Sequence, residues 1–474
     1  MDLTPILPEI SLVGLAILVI ILDFFVRRKE TLLFVSVGGL AVPALLTATL
    51  IGRTGSYLFD TVILDPYAVF FKFVFLVAAA LVLLASADYV DRFRLYDGEY
   101  YALILLLAAG MMLMASTREL ISIYLALELA TIPLAVLAGL QKDARAGEAA
   151  LKYLLLAGLS SAFLLYGMAI LFGLTGTTDL VGIGRGLPEA AGVNRGALAM
   201  ALVLLVAGLG FKISAVPFQF WTPDVYEGAP TPVTAYLSVA SKMAGFALVL
   251  RFFTTAFATA AIDWPLIFAV LSVLSMTLGN IVAFVQTNIK RLLAYSSIAA
   301  AGYIMIGLAS GTDLGASGLI FFLLSYAFTN LGAFIAVIAI SEQIGSDDIA
   351  DYAGLARRAP LLAFALTFCL VSLLGIPPTA GFVAKFYLFA GAVQQGLLWL
   401  AVIGVINSAI SAYYYIKVVR AMYLLEPKTP APVKVSAPVA LALLASVAGV
   451  LLVFVFAWPI IGVTEAASRS LFLR

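Results

Sequence analysis

The chain has 474 residues, 64% of them hydrophobic and 11% charged, with a formal net charge of +1 and no histidine. A water-soluble domain is ~25% charged and could not hide so much apolar surface, so lipid is the solvent for most of this chain. The charge balance argues against nucleic-acid binding, and the absence of histidine beside a lone Cys369 excludes imidazole catalysis, histidine metal sites and thiolate clusters.

The first residues, Met1 to Glu9, carry neither a positive region nor a small-residue cleavage site, and read as the start of a membrane helix. Apolar runs follow at roughly 5–27, 31–52 and 66–87 (spans 1–3), then 100–117, 119–140, 149–174, 196–220 and 231–254 (spans 4–8). The pattern continues at 262–286, 291–310, 314–341, 360–392 and 397–424 (spans 9–13) and ends at 436–462 (span 14). Each run is long enough, at ~1.5 Å per residue, to cross ~30 Å of hydrocarbon. An open sheet would leave unpaired backbone groups in lipid, so the spans are helices. The expectation is an all-α polytopic membrane protein of about fourteen transmembrane helices. It forms one integral membrane domain over 1–474: three spans in 5–99, five in 100–254, five in 262–424 and one in 436–462.

Lysine and arginine in the connections divide unevenly, about fourteen on one side (Arg27 to Lys434) and seven on the other (Arg53, Arg118, Arg185, Arg195, Arg251, Arg469, Arg474). The positive-inside rule then places both termini on the non-cytoplasmic side of a cell membrane.

An ionisable side chain at mid-bilayer costs ~2.5–3.5 kcal/mol on insertion scales, so residues that bear this cost are functional candidates. Four stand out: Glu128 in span 5, Lys212 in span 7, Lys242 in span 8 and Lys385 in span 12. Desolvation destabilises the charged form of a carboxylate and of an ammonium alike, so a glutamate can hold or release the proton of a neighbouring lysine, and a lysine row can pass protons along a hydrated path. Structural ion pairing is the bland alternative, but three amines exceed one acid. Lys72 reads as a snorkelling residue and Lys417, late in span 13, as a structural one, whereas Lys152, at the start of span 6, is open to either reading. Pro217 follows Lys212 by five residues and Pro377–Pro378 precede Lys385. Prolines here break two spans, and their mirrored order predicts an inverted repeat of spans 4–8 and 9–13. Ser214, Ser241, Tyr303, Tyr326, Thr329 and Asn330 are candidates to carry water between lysines, or simply to bond helices together.

The stretch FKISAVPFQFWTPDVYEGAPTPVTAYLSVASKMAGFAL (211–248) resembles the proton-translocating antiporter-like membrane subunits, and more narrowly the subunit N family of bacterial NADH–quinone oxidoreductase, respiratory complex I. EAALKYLLLAGLSSAFLLYGMAILFGLTG (148–176), QTNIKRLLAYSSIAAAGY (286–303), LARRAPLLAFALTFCLVSLLGIPPTAGFVAKFYLF (355–389) and NSAISAYYYIKVV (407–419) are similar to the same family. The resemblance implies fourteen helices, two inverted five-helix repeats and a coupling role, with quinone reduction elsewhere driving proton transfer here. It implies Glu128 as the acid controlling Lys212, Lys242 as the central relay lysine, Lys385 at the exit side and Lys152 in a secondary role. It also implies NAD, FMN, iron–sulfur clusters and quinone in other subunits, with no cofactor or metal in this chain. The implied partners are other membrane-arm subunits, including a neighbouring antiporter-like subunit and small membrane subunits, within the lipid bilayer. Two positions where the family usually has histidine are Gln219 and Ala300, so water, Lys242 and Tyr303 are expected to bridge that gap. The alternatives are a subunit of a multi-subunit cation/proton antiporter and, behind it, of an energy-converting hydrogenase; the WTPDVYEGAPTP and LARRAP segments favour subunit N.

Overall fold

The structure, a computed structural model, describes residues 2–26, 28, 30–93, 96–259, 262–427 and 433–472. Arg27, Lys29, Arg94, Lys428 and Arg474, counted among the orienting charges, lie outside the described residues.

Among the described residues, thirteen helices are long and apolar enough to cross a membrane, from Thr4–Phe25 to Ala437–Val455. The remaining expected span, span 12, is two short helices, Pro360–Leu374 and Ala380–Gln394, separated by the Gly375–Thr379 break. Span 7 is shorter than expected: its helix ends at Lys212 itself, because the next residues turn through Ser214 (φ 58°) and Pro217 before a separate helix, Trp221–Gly228. Span 14 stops at Val455, and an amphipathic helix, Ala457–Phe472, follows where a longer span was expected. Another amphipathic helix, Leu180–Val193, fills the link between spans 6 and 7. The only strands among the described residues form a small antiparallel hairpin, Gly55–Tyr57 with Val62–Leu64.

Helix starts follow from side chains that satisfy the first free N–H groups. Asp143 caps span 6 by accepting from the Ala146 amide, and Thr312 caps span 11 by accepting from that of Gly315. Both helices end on a glycine in the left-handed region, Gly176 and Gly345. These are the two longest helices, Ala144–Thr175 and Asp313–Ile344, and a shift of 169 residues superimposes their boundaries. The same shift carries Glu119 onto Asn288 and Asp179 onto Asp348, and each of these pairs forms an antiparallel bridge. In the first, Leu120 N–H donates to Thr178 O and Leu180 N–H to Arg118 O; in the second, Ile289 donates to Asp347 O and Ile349 to Thr287 O. One local architecture is thus used twice along the chain.

Buried charges tie the first three spans to the rest. Asp65 and Arg251 form a bidentate pair (2.8 and 2.9 Å), with Arg251 fully buried, donating also to Ala115 O and stacked 4.8 Å from the Tyr67 ring centroid. Arg251, expected among the connection charges, therefore lies inside span 8. Lys72 does not snorkel: its ammonium is buried, 2.7 Å from Glu9 and 2.7 Å from Pro5 O. Span 1 supplies an acid partner within reach, and that partner sits 63 residues away in sequence.

Candidate functional site: a row of buried lysines

Glu128 and Lys212 occupy the first part of the row. Span 5 is broken directly after Glu128, into Leu120–Leu129 and Ile132–Ala138, because Pro133 cannot donate to the Leu129 carbonyl. Lys212 exploits the break: its ammonium donates to Thr131 Oγ1 at 2.9 Å and to Ala130 O at 3.4 Å. Thr131 Oγ1 in turn donates to Leu127 O, so its lone pairs face the amine. Glu128 is half-buried and accepts from Ser161 of span 6. No Glu128–Lys212 ion pair within 4 Å forms among the described residues; Glu128 acts on Lys212 across space, with Thr131 as the lysine's anchor. Gly245 permits this packing, since a Cβ there would sit 3.1 Å from Lys212 Cγ.

Lys242 is buried one turn before Gly245 and donates to the carbonyl (2.9 Å) and hydroxyl of Ser297 in span 10. It directly follows a π-helical stretch, Leu237–Ser241, within the fully buried span Thr231–Ala256. Such a bulge re-aims the side chains that follow it. The Tyr226 and Tyr326 hydroxyls face Ser297 without completing a hydrogen bond of ordinary geometry.

Lys385 closes the row. It donates to Leu374 O at 2.9 Å, a carbonyl freed by the break in span 12, and to Ser408 Oγ at 2.8 Å. Its ammonium lies 4.5 Å from the Tyr303 ring centroid. Gly375 (φ 87°) is required here, because a Cβ would come within 2.9 Å of Lys385 Cδ. Two hydrogen-bonded groups lie beside Lys385: Ser296 with Tyr415, and Tyr414 donating to Asn280 at 2.9 Å, which donates to Tyr303 at 3.4 Å. A cavity of about 20 Å³, room for about one water, is lined by Ser296, Ala300, Tyr303, Tyr326, Thr329 and Lys385 among others.

The 169-residue shift explains the difference between the two halves. It sets Glu128 of the first unit against Ser297 of the second, the serine that holds Lys242. It also carries Thr131, the anchor of Lys212, onto Ala300, which opens the cavity beside Lys385. Gln219 is buried with its carbonyl oxygen unbonded. Asn330 donates to Ser238 and Thr329 bonds Ser372, so this stripe of span 11 joins helices.

Lys152 stands apart from the row. It bonds Glu148 (2.6 Å) and Asp224 (2.9 Å), and Asp224 and Glu227 both bind Arg291, making a partly exposed network at the helix ends. Burial opposes charge on Asp224, but bonds from Lys152 and Arg291 outweigh it and hold the carboxyl below its ordinary value. A depressed carboxyl stabilises the fold above its unfolded pKa of ~4, so this contribution is present at neutral pH and lost as pH falls through the folded value. Lys417 is half-buried and donates to Gln286 O near a helix end, as a bland reading requires.

Against this geometry, residues 117–411 match the family model described as NADH:quinone oxidoreductase/Mrp antiporter, TM. The NADH-quinone oxidoreductase subunit N of Trichlorobacter lovleyi is 46% identical over 95% of this chain and 94% of its own length. The chain belongs to the subunit N family. A chain of respiratory complex I from Thermus thermophilus, solved with bound aureothin, matches at 33% identity and TM-score 0.83, covering 96% of this chain and 99% of its own. A chain of the Mrp complex from Dietzia matches at TM-score 0.88 but 21% identity over 100% of this chain and 98% of its own, a likeness of fold alone. The broken helices and buried lysines are therefore features of a multi-pass membrane subunit.

The structure adds residues that the sequence reading passed over. Thr131, Ser161, Asn280, Ser296, Ser297, Ser408, Tyr414 and Tyr415 all bond within the row or its lining. The available signals were Pro133 two residues after LALELAT, and the polar run NSAISAYYY in span 13.

Proposed function

We propose that this chain is the proton-translocating subunit N of an NADH–quinone oxidoreductase, moving protons through Glu128, Lys212, Lys242 and Lys385 while redox chemistry proceeds in other subunits. The observation that carries the reading is three buried ammonium groups, each held by hydroxyls or helix-break carbonyls and, among the described residues, none by a carboxylate within ion-pair distance. An amine so held keeps hydrogen-bond partners when charged, yet has no fixed counter-ion to prevent proton release. Glu128, half-buried on the flank of the row, biases Lys212 through space. In this proposal Lys242 hands on through Ser297, the hydrated cavity and Tyr303 to Lys385.

In the proposed assembly NAD, FMN, iron–sulfur clusters and quinone belong to partner subunits, and neighbouring membrane-arm subunits cover part of the lipid-facing surface. Both termini lie on the non-cytoplasmic side, and the twice-used architecture corresponds to repeats of spans 4–8 and 9–13. The test is a mild-detergent pull-down of the chain from its native membrane, assayed for NADH–quinone reductase activity. Co-purifying activity with peripheral redox subunits is expected. Membrane subunits alone, with no redox activity, would transfer the same four residues to a cation/proton antiporter.

Ala300 makes a sharper local test. Ala300→His restores the family's usual residue but must fit an imidazole into a buried wall beside a one-water cavity, at a cost of about 1–3 kcal/mol for overpacking. The expected outcome is a less heat-stable complex with no gain in protons moved per NADH, measured in proteoliposomes. A large gain would mean that histidine is not dispensable here.

A further inference from the structure

A large cavity lies outside the lysine row. It is a groove of about 530 Å³ running along span 3, with Pro66, Phe70, Phe73 and Val77 on one wall and Phe328 and Leu331 of span 11 on the other. Val463 of the terminal amphipathic helix borders it, and Arg53 stands at its mouth. Its wall on span 3 extends from Pro66 to Leu81, about 22 Å at helical rise, which exceeds the ~15 Å of one hydrocarbon leaflet. Arg53 is exposed, lies in the connection before span 3 and has no ion-pair partner within 4 Å among the described residues; Asp2 acts on it only from a distance. The groove thus has a cation where phosphate groups lie and an apolar trough for the depth of one leaflet.

We propose that this groove is a binding site for one anionic phospholipid, with an acyl chain between spans 3 and 11 and its phosphate on Arg53. The match of length and charge favours a lipid over a protein segment, because the trough offers almost no polar groups to a backbone, whereas a guanidinium at headgroup level complements a phosphate. The lipid would wedge the three N-terminal spans against span 11, on the face of span 11 opposite its Thr329–Asn330 bonds.

The test reconstitutes the intact parent complex with a phosphatidylglycerol bearing a photoreactive diazirine in its acyl chain, then maps the labelled peptides. Labelling should concentrate in 66–81 and 324–331 and fall at least about fivefold, an apparent loss of about 1 kcal/mol, in Val77→Trp, which fills the half-exposed trough. Arg53→Gln, at an exposed position, should leave assembly unchanged and abolish preference for phosphatidylglycerol over phosphatidylcholine in the lipid retained during native mass spectrometry. Uniform labelling of all lipid-facing helices, unchanged in both variants, would overturn the proposal. So would recovery of a quinone from the groove, or a cross-link from Phe73 to another subunit's helix.

Discussion

Asp65→Asn or Arg251→Met should prevent the folded chain from accumulating in membranes. Each leaves its partner as a buried charge, and breaking a buried pair typically costs about 3–5 kcal/mol. Arg251 has no exposed surface and bonds both carboxylate oxygens and the Ala115 carbonyl, so no water replaces the lost partner. Asp65 also caps span 3 by accepting from the Ala68 amide, a bond that the side-chain oxygen of Asn can keep. The loss therefore falls on the joint between spans 3, 4 and 8. Asn keeps the shape and one acceptor, so the Asp65→Asn effect isolates charge. Combining Asp65→Asn with Arg251→Met should restore part of the lost abundance, since no uncompensated charge remains. Immunoblotting of membranes and the thermal midpoint of purified complex check this; wild-type values in both single variants would show the pair to be dispensable.

Span number and the broken spans 7 and 12 were legible because lipid imposes a length and proline imposes a break. What stayed hidden depends on distance in space. Lys72 looked free to snorkel because its partner, Glu9, lies on another span. No rule of spacing shows that Lys212 is held by the Thr131 hydroxyl. The break in span 5 was readable from Pro133 but was masked by an otherwise continuous apolar run. The π-helical stretch before Lys242 has no proline or glycine to announce it, and arises from packing within a fully buried span. A shift of 169 residues brings the ends of the two longest helices into coincidence but sets Glu128 against Ser297 and Thr131 against Ala300, so the correspondence is faint in residue identity.

Lys242→Met is expected to leave the complex assembled and reductase-competent while nearly abolishing proton transfer through this subunit. Methionine matches the unbranched stem and fills the same space, but carries no proton. Burying its thioether removes a desolvation cost, so stability should not fall. The loss strikes the ammonium that donates to Ser297. Removing a proton donor and acceptor from its step typically slows that step about 10²–10⁴-fold. Glu128→Gln is milder: the amide keeps a bond to Ser161 but removes the charge that acts on Lys212, so transfer should slow without stopping. Ser297→Ala should fall between them, because the carbonyl at 2.9 Å still holds Lys242 while the hydroxyl hand-off is gone. The measurement is proton uptake per NADH oxidised in proteoliposomes, with reductase rate and assembly followed in parallel. A fall in all three quantities together would mark these residues as structural. Full pumping in Lys242→Met and Glu128→Gln would remove both from the path, leaving Lys212 and Lys385 without a connection between the two halves.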